Sequence, residues 1–424
     1  MGRLTPAMLG ATGSPVGHRA TVAMVSHLVD VVAERFAAGG EAICRGADGR
    51  IVFAADVIPG DHVQVRITDD RDRWARGDAI AITQASPDRI AAPCPSRQLG
   101  CGGCDWAEVA PQMQLAHKAA VAADALRRTG GVRIEVENGG SVPAVGYRSG
   151  VRVVGDVDGR AAFREARSHR AVSAVNCPVA HPNLRPLLDA VRCDPGAEVA
   201  LRVSVSEGTA TAHGLDGARV DGLDTLCSLG ENAVLFDVID GVRLRVSAAS
   251  FFQSGPAAVS LLAATIRDLV PEISSAERVV DAYGGIGALS LLTASPAAAL
   301  TVVESSASSC ADARVNLANR AQSTVVESEM AMWRPEADAA PDVMIADPAR
   351  TGLGRPGVHA VVRARPAYLA LVGCDPVAFA RDIALLSARG YRCERVMAID
   401  LFPDTHHVEC VARMVRDDSG TLSQ

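Results

Sequence analysis

From residue 257 to the carboxyl end the chain repeats one pattern, a short apolar run, a turn, then a longer stretch with apolar residues at helical spacing. A helix, "AAVSLLAATIRDLV", precedes "RVVDAYGGIGALSLLTA", which reads as strand, glycine turn and helix. "ALTVVESS" then reads as strand, "ASSCADARVNLANRA" as helix and "PDVMIADPAR" as strand. "AYLALVGCDP" is the next strand, "VAFARDIALLSARG" a helix, and "RVMAIDLFP" and "HHVECVARMVR" the last two strands. Strands alternating with helices specify an α/β fold with a mostly parallel, doubly wound sheet. Ligands of such sheets lie at the carboxyl ends of the strands. The chemistry is therefore sought there.

The preceding 250 residues have a different texture. Residues 1–27 read as a disordered extension without a leader. Residues 28–86 hold strand-like alternations, "EAICR", "RIVFAADV" and "HVQVRIT", separated by the turns "GADG" and "IPGD". This spacing suggests a small barrel of the oligonucleotide-binding kind. Residues 87–250 carry a cysteine cluster, a helix over "QMQLAHKAAVAADALRRT" and then alternating β runs, a β-rich central domain. Residues 251–424 hold the doubly wound sheet. No run of 18 apolar residues interrupts the chain, so no membrane span and a cytoplasmic location are expected.

The strand ends carry the candidate chemistry. Gly284, Gly285 and Gly287 follow the first strand of the sheet, where glycine lets a ligand approach the backbone. Glu304 ends the next strand, placed to accept hydrogen bonds from ribose hydroxyls. The glycines lack dinucleotide spacing, which favours S-adenosylmethionine over NAD. Further strand ends carry Asp347, Cys374 and Glu409. A thiol, a carboxylate and a methyl donor on one sheet edge suit methylation at carbon 5 of a pyrimidine. A thiolate adding to carbon 6 makes carbon 5 nucleophilic, and a carboxylate then removes its proton. Cys374 by itself fits a structural cysteine equally well.

Eleven cysteines without an export signal do not read as a disulfide framework. Three of them, Cys94, Cys101 and Cys104, lie in "CPSRQLGCGGC", and such clustering points to metal. Their spacing suits tetrahedral zinc or an iron–sulfur cluster alike. The net charge of −7 argues mildly against a nucleic-acid partner. Lys118 is the only lysine, so the other long basic side chains are arginines. "RSGVRVVGDVDGRAAFREARSHR", residues 148–170, concentrates six of them, either as a solvated face or as an anion-binding one.

Taken together these motifs resemble the RNA (uracil-5-)-methyltransferases that carry an amino-terminal TRAM domain and an iron–sulfur cluster. The resemblance runs from about residue 30 to the carboxyl end. "SFFQSG" places Gln253 at the family's cofactor-binding glutamine. Tyr283 in "DAYGGIG", Glu304 in "VVES" and Asp347 in "DPARTGL" match further cofactor contacts, with Gly284, Gly285 and Gly287 forming the turn. "LVGCDPVAFARDIALL" implies Cys374 as nucleophile and "DLFPDTHHVEC" implies Glu409 as general base. Cys94, Cys101, Cys104 and, in "NCPVAH", Cys177 match the four ligands of a 4Fe–4S cluster.

The resemblance implies a Rossmann-like class I methyltransferase sheet preceded by an OB-like TRAM barrel and the central domain. It further implies S-adenosylmethionine as methyl donor and a monomer acting on a loop uridine of RNA, in 23S rRNA or tRNA. The chain departs from the family pattern at Ala288, Ala349, Gly373 and Asp375. An acid beside the thiol is expected to raise its pKa. Two rivals follow from these departures and from the shared chemistry: methylation of another base, or an RNA-binding protein with weakened catalysis.

Overall fold

The computed structural model describes residues 27–223, 227–336 and 340–417. The expected amino-terminal extension, residues 1–27, lies outside the described residues but for His27.

Five strands, Leu28–Phe36, Ala42–Gly46, Ile51–Ala55, His62–Asp70 and Trp74–Gln84, close into a barrel. Every second residue turns inward, with Val31, Ala33, Val63, Val65 and Ile67 filling the interior. Asp61 fastens the barrel to the segment that follows. Its buried carboxylate accepts from the amides of Ile58 and Ser86 and pairs with Arg89. Those three donors hold it below the usual carboxylate range against the opposing effect of burial.

A six-stranded sheet forms the central layer. Its order is Cys227–Leu229, Ala210–Gly214, Glu198–Val203, Gly150–Gly155, Ala161–Arg164 and Ala171–Ser173. The basic stretch of residues 148–170 runs through it, and most of its charge is met locally. Arg164 pairs with Glu198 and Arg170 with Glu165, while Arg167 lies near Asp78 of the barrel.

The third layer is an eight-stranded sheet. From one edge the order is Ser323–Glu327, Ala299–Glu304, Arg278–Ala282, Val343–Ala346, Tyr368–Gly373, Glu409–Arg416, Tyr391–Asp400 and Val136–Ser141. The first five strands are parallel. Glu409–Arg416 then runs antiparallel to both of its neighbours. Residues of "VMIA" alternate between two packed layers, Val343 and Ile345 on one face, Met344 and Ala346 on the other. Burial on both faces is why such strands read as unbroken apolar runs.

The stretch 87–250 is divided in space. Helix Pro111–Ala125 and strand Val136–Ser141 join the catalytic layer, where Ala122, Ala125 and Leu126 pack with Phe379 and Ile383. "VENGGS" has little strand propensity of its own, and pairing with Tyr391–Asp400 supplies its order. Two further elements of the sheet domain stand outside the sequence reading, although "STVVE" is rich in β-branched residues and helix Gly354–Ala364 is amphipathic. Ser323–Glu327 is a short edge strand. Helix Gly354–Ala364 opens on glycine and proline but buries Val358, Val361 and Ala364.

Lys118 explains its own solitude. It is fully buried on helix Pro111–Ala125, its ammonium 2.6 Å from Asp400 and 3.1 Å from the Phe402 carbonyl oxygen. Burial pushes the lysine down and the aspartate up, and each partly restores the other. Removing one partner strands the other charge without water. Lys118→Met should therefore destabilise the protein by about 3–5 kcal/mol, with Lys118→Met/Asp400→Asn recovering most of the loss in thermal or denaturant unfolding.

Candidate active site

Strand Arg278–Ala282 ends at Tyr283, whose φ of +60° is a left-handed conformation that non-glycine residues adopt at a cost. The turn that follows is tight on one side and open on the other. A Cβ on Gly284 would lie 2.8 Å from Asp281 and Val302, whereas one on Gly285 would meet nothing within 4 Å. The open side is the space a ligand would enter. Glu304, ending the adjacent strand, accepts from the Gly285 amide at 3.0 Å through Oε2 and from the Ser305 and Ser306 amides at 2.7 Å through Oε1. Turn and acid are thus one rigid piece. Asn316 completes it from the next helix by donating to the Ile286 carbonyl at 3.0 Å. Ala288, one of the departures from the family pattern, is buried among apolar neighbours.

Asp347 follows strand Val343–Ala346 directly, next to the end of Tyr368–Gly373. Gln253 donates Nε2 to its Oδ2 at 3.3 Å, which brings the "SFFQSG" segment to the same edge. That segment is held from behind. Buried Asp312 accepts from the Ser247 amide and from both the Ser247 and Ser250 hydroxyls, and Arg202 donates to the Ser247 and Ser250 carbonyls. Neither Arg202 nor Asp312 stands in a motif. Their spacing from Gln253 carries no local signal.

Cys374 follows strand Tyr368–Gly373. In the antiparallel pair, Gly373 faces Cys410. Continuing that register by one residue sets Cys374 opposite Glu409, where facing residues lie about 4.5–5.5 Å apart between Cα atoms. Thiol and carboxylate of the expected pair therefore meet, from positions 35 residues apart in the chain. Glu409 is 3% exposed and its Oε1 has no hydrogen-bond partner. Burial first, and then the charge of Asp347, raise it well above the usual carboxylate range. Burial, Glu409 and Asp347 likewise push the Cys374 thiol up to about 11, while Arg350 opposes both shifts. Arg350 lies three residues after Asp347, and "DPAR" was the signal that could have found it.

The flanking departures are accounted for by packing. A Cβ on Gly373 would come within 2.8 Å of the Phe379 ring, so Phe379 takes the space a side chain there would need. Asp375 caps helix Pro376–Ser387, its Oδ1 accepting from the amides of Val377 and Ala378 at 3.0 and 2.7 Å. The expectation that Asp375 lifts the thiol is thus replaced: burial, Glu409 and Asp347 lift it, and Asp375 spends its charge on two amides.

Asp281 adds a third buried carboxyl to this edge. It is 1% exposed, its Oδ1 is unpartnered, and burial pushes it up to about 7. Asp347 keeps some access to solvent, yet its depth pushes it to about 7 as well. Unsatisfied carboxyls beside an open glycine turn fit a ligand that brings hydrogen-bond donors and positive charge. S-adenosylmethionine, with its ammonium, ribose hydroxyls and sulfonium, is such a ligand.

The four cysteines of the sequence pattern come together about one cavity of about 220 Å³, lined also by Arg97 and Arg148. Amides of Gly103 donate toward Cys101, and those of Val179 and Ala180 toward Cys177. Amide-to-sulfur hydrogen bonds are a feature of iron–sulfur ligation. Among the described residues, no three His, Cys, Asp or Glu side chains converge as the ligands of one metal ion would. Arg148 lies over the rings of Tyr147 and Phe402, between this cavity and the loop that leads to Glu409.

Comparison with known proteins gives one outcome across the chain. No family model matches it. An uncharacterized RNA methyltransferase of Corynebacterium glutamicum is 32% identical over 405 residues, covering 92% of this chain and 97% of that protein. The 23S rRNA (uracil(1939)-C(5))-methyltransferase RlmD of Halomonas elongata is 29% identical, over 93% of this chain and 91% of its own. Among solved structures, the tRNA (uracil-54, C5)-methyltransferase of Pyrococcus abyssi, in complex with S-adenosyl-L-homocysteine, superimposes with a TM-score of 0.70 at 21% identity. It covers 91% of this chain and 100% of that one. At that identity the likeness speaks for the fold.

The burial of Glu409 makes a measurable signature. A carboxyl whose folded pKa is raised costs stability that grows as pH rises above its unfolded value, here 4.5. Glu409→Gln should raise the thermal midpoint of the ligand-free protein at pH 8 by about 2 °C or more, and the gain should vanish near pH 5.

Proposed function

Since the chain belongs to the family of RNA methyltransferases, we propose that it methylates carbon 5 of a uridine in RNA with S-adenosylmethionine, through a transient bond between Cys374 and carbon 6. The observation that carries this reading is the Gly373–Cys410 register, which brings Cys374 close enough to Glu409 to feel its charge, together with the glycine turn and the Gln253–Asp347 contact.

Gln253, Tyr283, Gly284, Gly285, Gly287, Glu304 and Asp347 would hold the cofactor, which supplies an electrophilic methyl group. Cys374 first loses its proton, and Arg350 is the positive group that favours the thiolate. The thiolate sulfur bonds to carbon 6 of the uracil, and the electron pair of the 5,6 double bond moves toward carbon 5 and the neighbouring carbonyl. Once carbon 5 carries the methyl group, the Glu409 carboxylate takes the remaining carbon 5 proton. The freed pair restores the double bond, the carbon–sulfur bond breaks, and the thiolate leaves. A uridine must leave its stack to reach Cys374, so a loop or otherwise unstacked site is the expected target. Ribosomal RNA is the favoured substrate, because the Halomonas enzyme aligns along nearly the whole chain.

Cys94, Cys101, Cys104 and Cys177 would hold a 4Fe–4S cluster. Four sulfurs around a cavity of about 220 Å³ suit a cubic cluster, whereas a single zinc ion draws its ligands to one point. Arg97 and Arg148 on the same cavity offset the negative charge of such a cluster. Its role is structural: no electron transfer enters the methyl-transfer sequence.

Three measurements test this reading. Target RNA bearing 5-fluorouridine, which has no removable proton at carbon 5, should trap a covalent protein–RNA species. Cys374→Ala should form none and incorporate no methyl group above background, and methylation by that variant at the parent rate would sink the mechanism. The rate of adduct formation by the parent should climb about tenfold per pH unit between pH 7 and 9, because the thiol sits near 11 in the free protein. Anaerobically purified protein should be brown and contain iron and acid-labile sulfide in equal amounts; colourless protein holding zinc would overturn the cluster.

A further inference from the structure

The loop of residues 401–408 joins the last two strands and delivers Glu409, and its supports come from other layers. Gln114 exchanges two hydrogen bonds with Asp404, at 2.9 and 2.8 Å, and Lys118 reaches Asp400 and Phe402. These contacts fix the first half of the loop. The half nearer Glu409 is met by Asp105, the residue directly after Cys104. Its Oδ1 accepts from the His406 amide at 3.1 Å, and its Oδ2 lies 2.7 Å from His406 Nδ1. Trp106 adds an amide bond to the Asp404 carbonyl at 2.9 Å and an indole bond to the Gly40 carbonyl at 3.3 Å. Gly40 itself, in the barrel's first turn with φ of +90°, sits so close that a Cβ would come within 2.7 Å of Asp105 and 2.8 Å of His406.

Barrel turn, cysteine-bearing loop and base-bearing loop thus meet at one carboxylate, three residues from Glu409. We propose that Asp105 is a positioning residue for the base: through His406 it couples the place of Glu409 to the cysteine loop and the barrel. The proposal rests on the uridine-methylating reading above, and it assigns the coupling to one step. Cys374 and the cofactor residues stand on other elements, so addition of the thiolate and gain of the methyl group proceed without Asp105. Loss of the carbon 5 proton to Glu409, with return of the electron pair to the ring and expulsion of the sulfur, requires it.

The experiment uses the full-length protein with its target RNA and S-adenosylmethionine. Asp105→Ala should lower kcat on the order of 10- to 100-fold, the scale for a reacting group displaced by about 1 Å. The KM values for RNA and cofactor should fall together with kcat, leaving kcat/KM within about twofold of the parent, because addition and methyl gain precede the slowed step. The distinguishing readout is a denaturing gel. With ordinary uridine RNA the variant should accumulate a covalent protein–RNA band that the parent resolves quickly, because release is slowed and addition is not. His406→Ala should do the same, and the double variant should be no worse than either single one. Gly40→Ala should shift turnover in the same direction. Iron and sulfide content at the parent level separates this outcome from loss of a cluster. If Asp105→Ala does lose metal, His406→Ala, on the far side of the contact and away from the cysteines, decides. Parent-like turnover in the His406 variant, or addition and release slowed equally, overturns the proposal. A parent protein that forms no adduct with 5-fluorouridine RNA overturns the underlying reading instead.

Discussion

One strand running against its neighbours organises the reactive edge of this protein. Glu409–Arg416 enters between two strands that both run the other way, so its first residue lies beside the last residues of Tyr368–Gly373. A parallel strand in that slot would leave Glu409 at the other edge of the sheet, far from Cys374. The reversal puts a carboxyl and a thiol at the same edge. It also requires a connecting loop to cross the edge of the sheet, and that loop is where the other layers take hold.

Burial sets the electrostatic character of this edge. Asp281, Asp347 and Glu409 are acids in a region with little water, so burial drives each toward its neutral form, and the charge of Asp347 adds to the shifts of Asp281 and Glu409. The same field lifts the Cys374 thiol. Arg350, exposed and 3.4 Å from His407 Nε2, is the nearby positive charge that opposes the shifts of Cys374 and Glu409. Without ligands, such a site is held in a state that a cationic methyl donor and a polar base would relieve. The stability given up by crowding carboxyls is the counterpart of a site built to bind positive charge and to take up a proton.

The acidic balance of the chain is reconciled with an RNA partner by where its arginines are spent. Several arginines of residues 148–170 neutralise glutamates of their own sheet. Arg148 instead stacks over Tyr147 and Phe402 beside the base loop, and Arg350 lies open at the reactive edge. Two arginines therefore stand near a carboxyl-rich edge, while the net charge of the chain is −7. RNA recognition by shape and local contacts accommodates that arrangement.

The sequence by itself determined the alternation of strands and helices and which strand ends carry glycines, acids and a thiol. Alternating apolar runs and helical periods specify a doubly wound sheet because both faces of such strands are buried. Glycines after the first strand, and acids or a thiol after later ones, mark the carboxyl ends where ligands bind. Tertiary structure alone decided the environment of each group. Gly373 is set by the ring of Phe379, which a flanking-residue argument cannot see, whereas Asp375 is a local helix cap that "DPVAF" itself announces. The strand "VENGGS" and the buried Lys118–Asp400 pair exist only because distant segments meet. Local patterns record the periodicity of burial. They carry no record of partners more than a few residues away, and pairing across the sheet and desolvation depend on those partners.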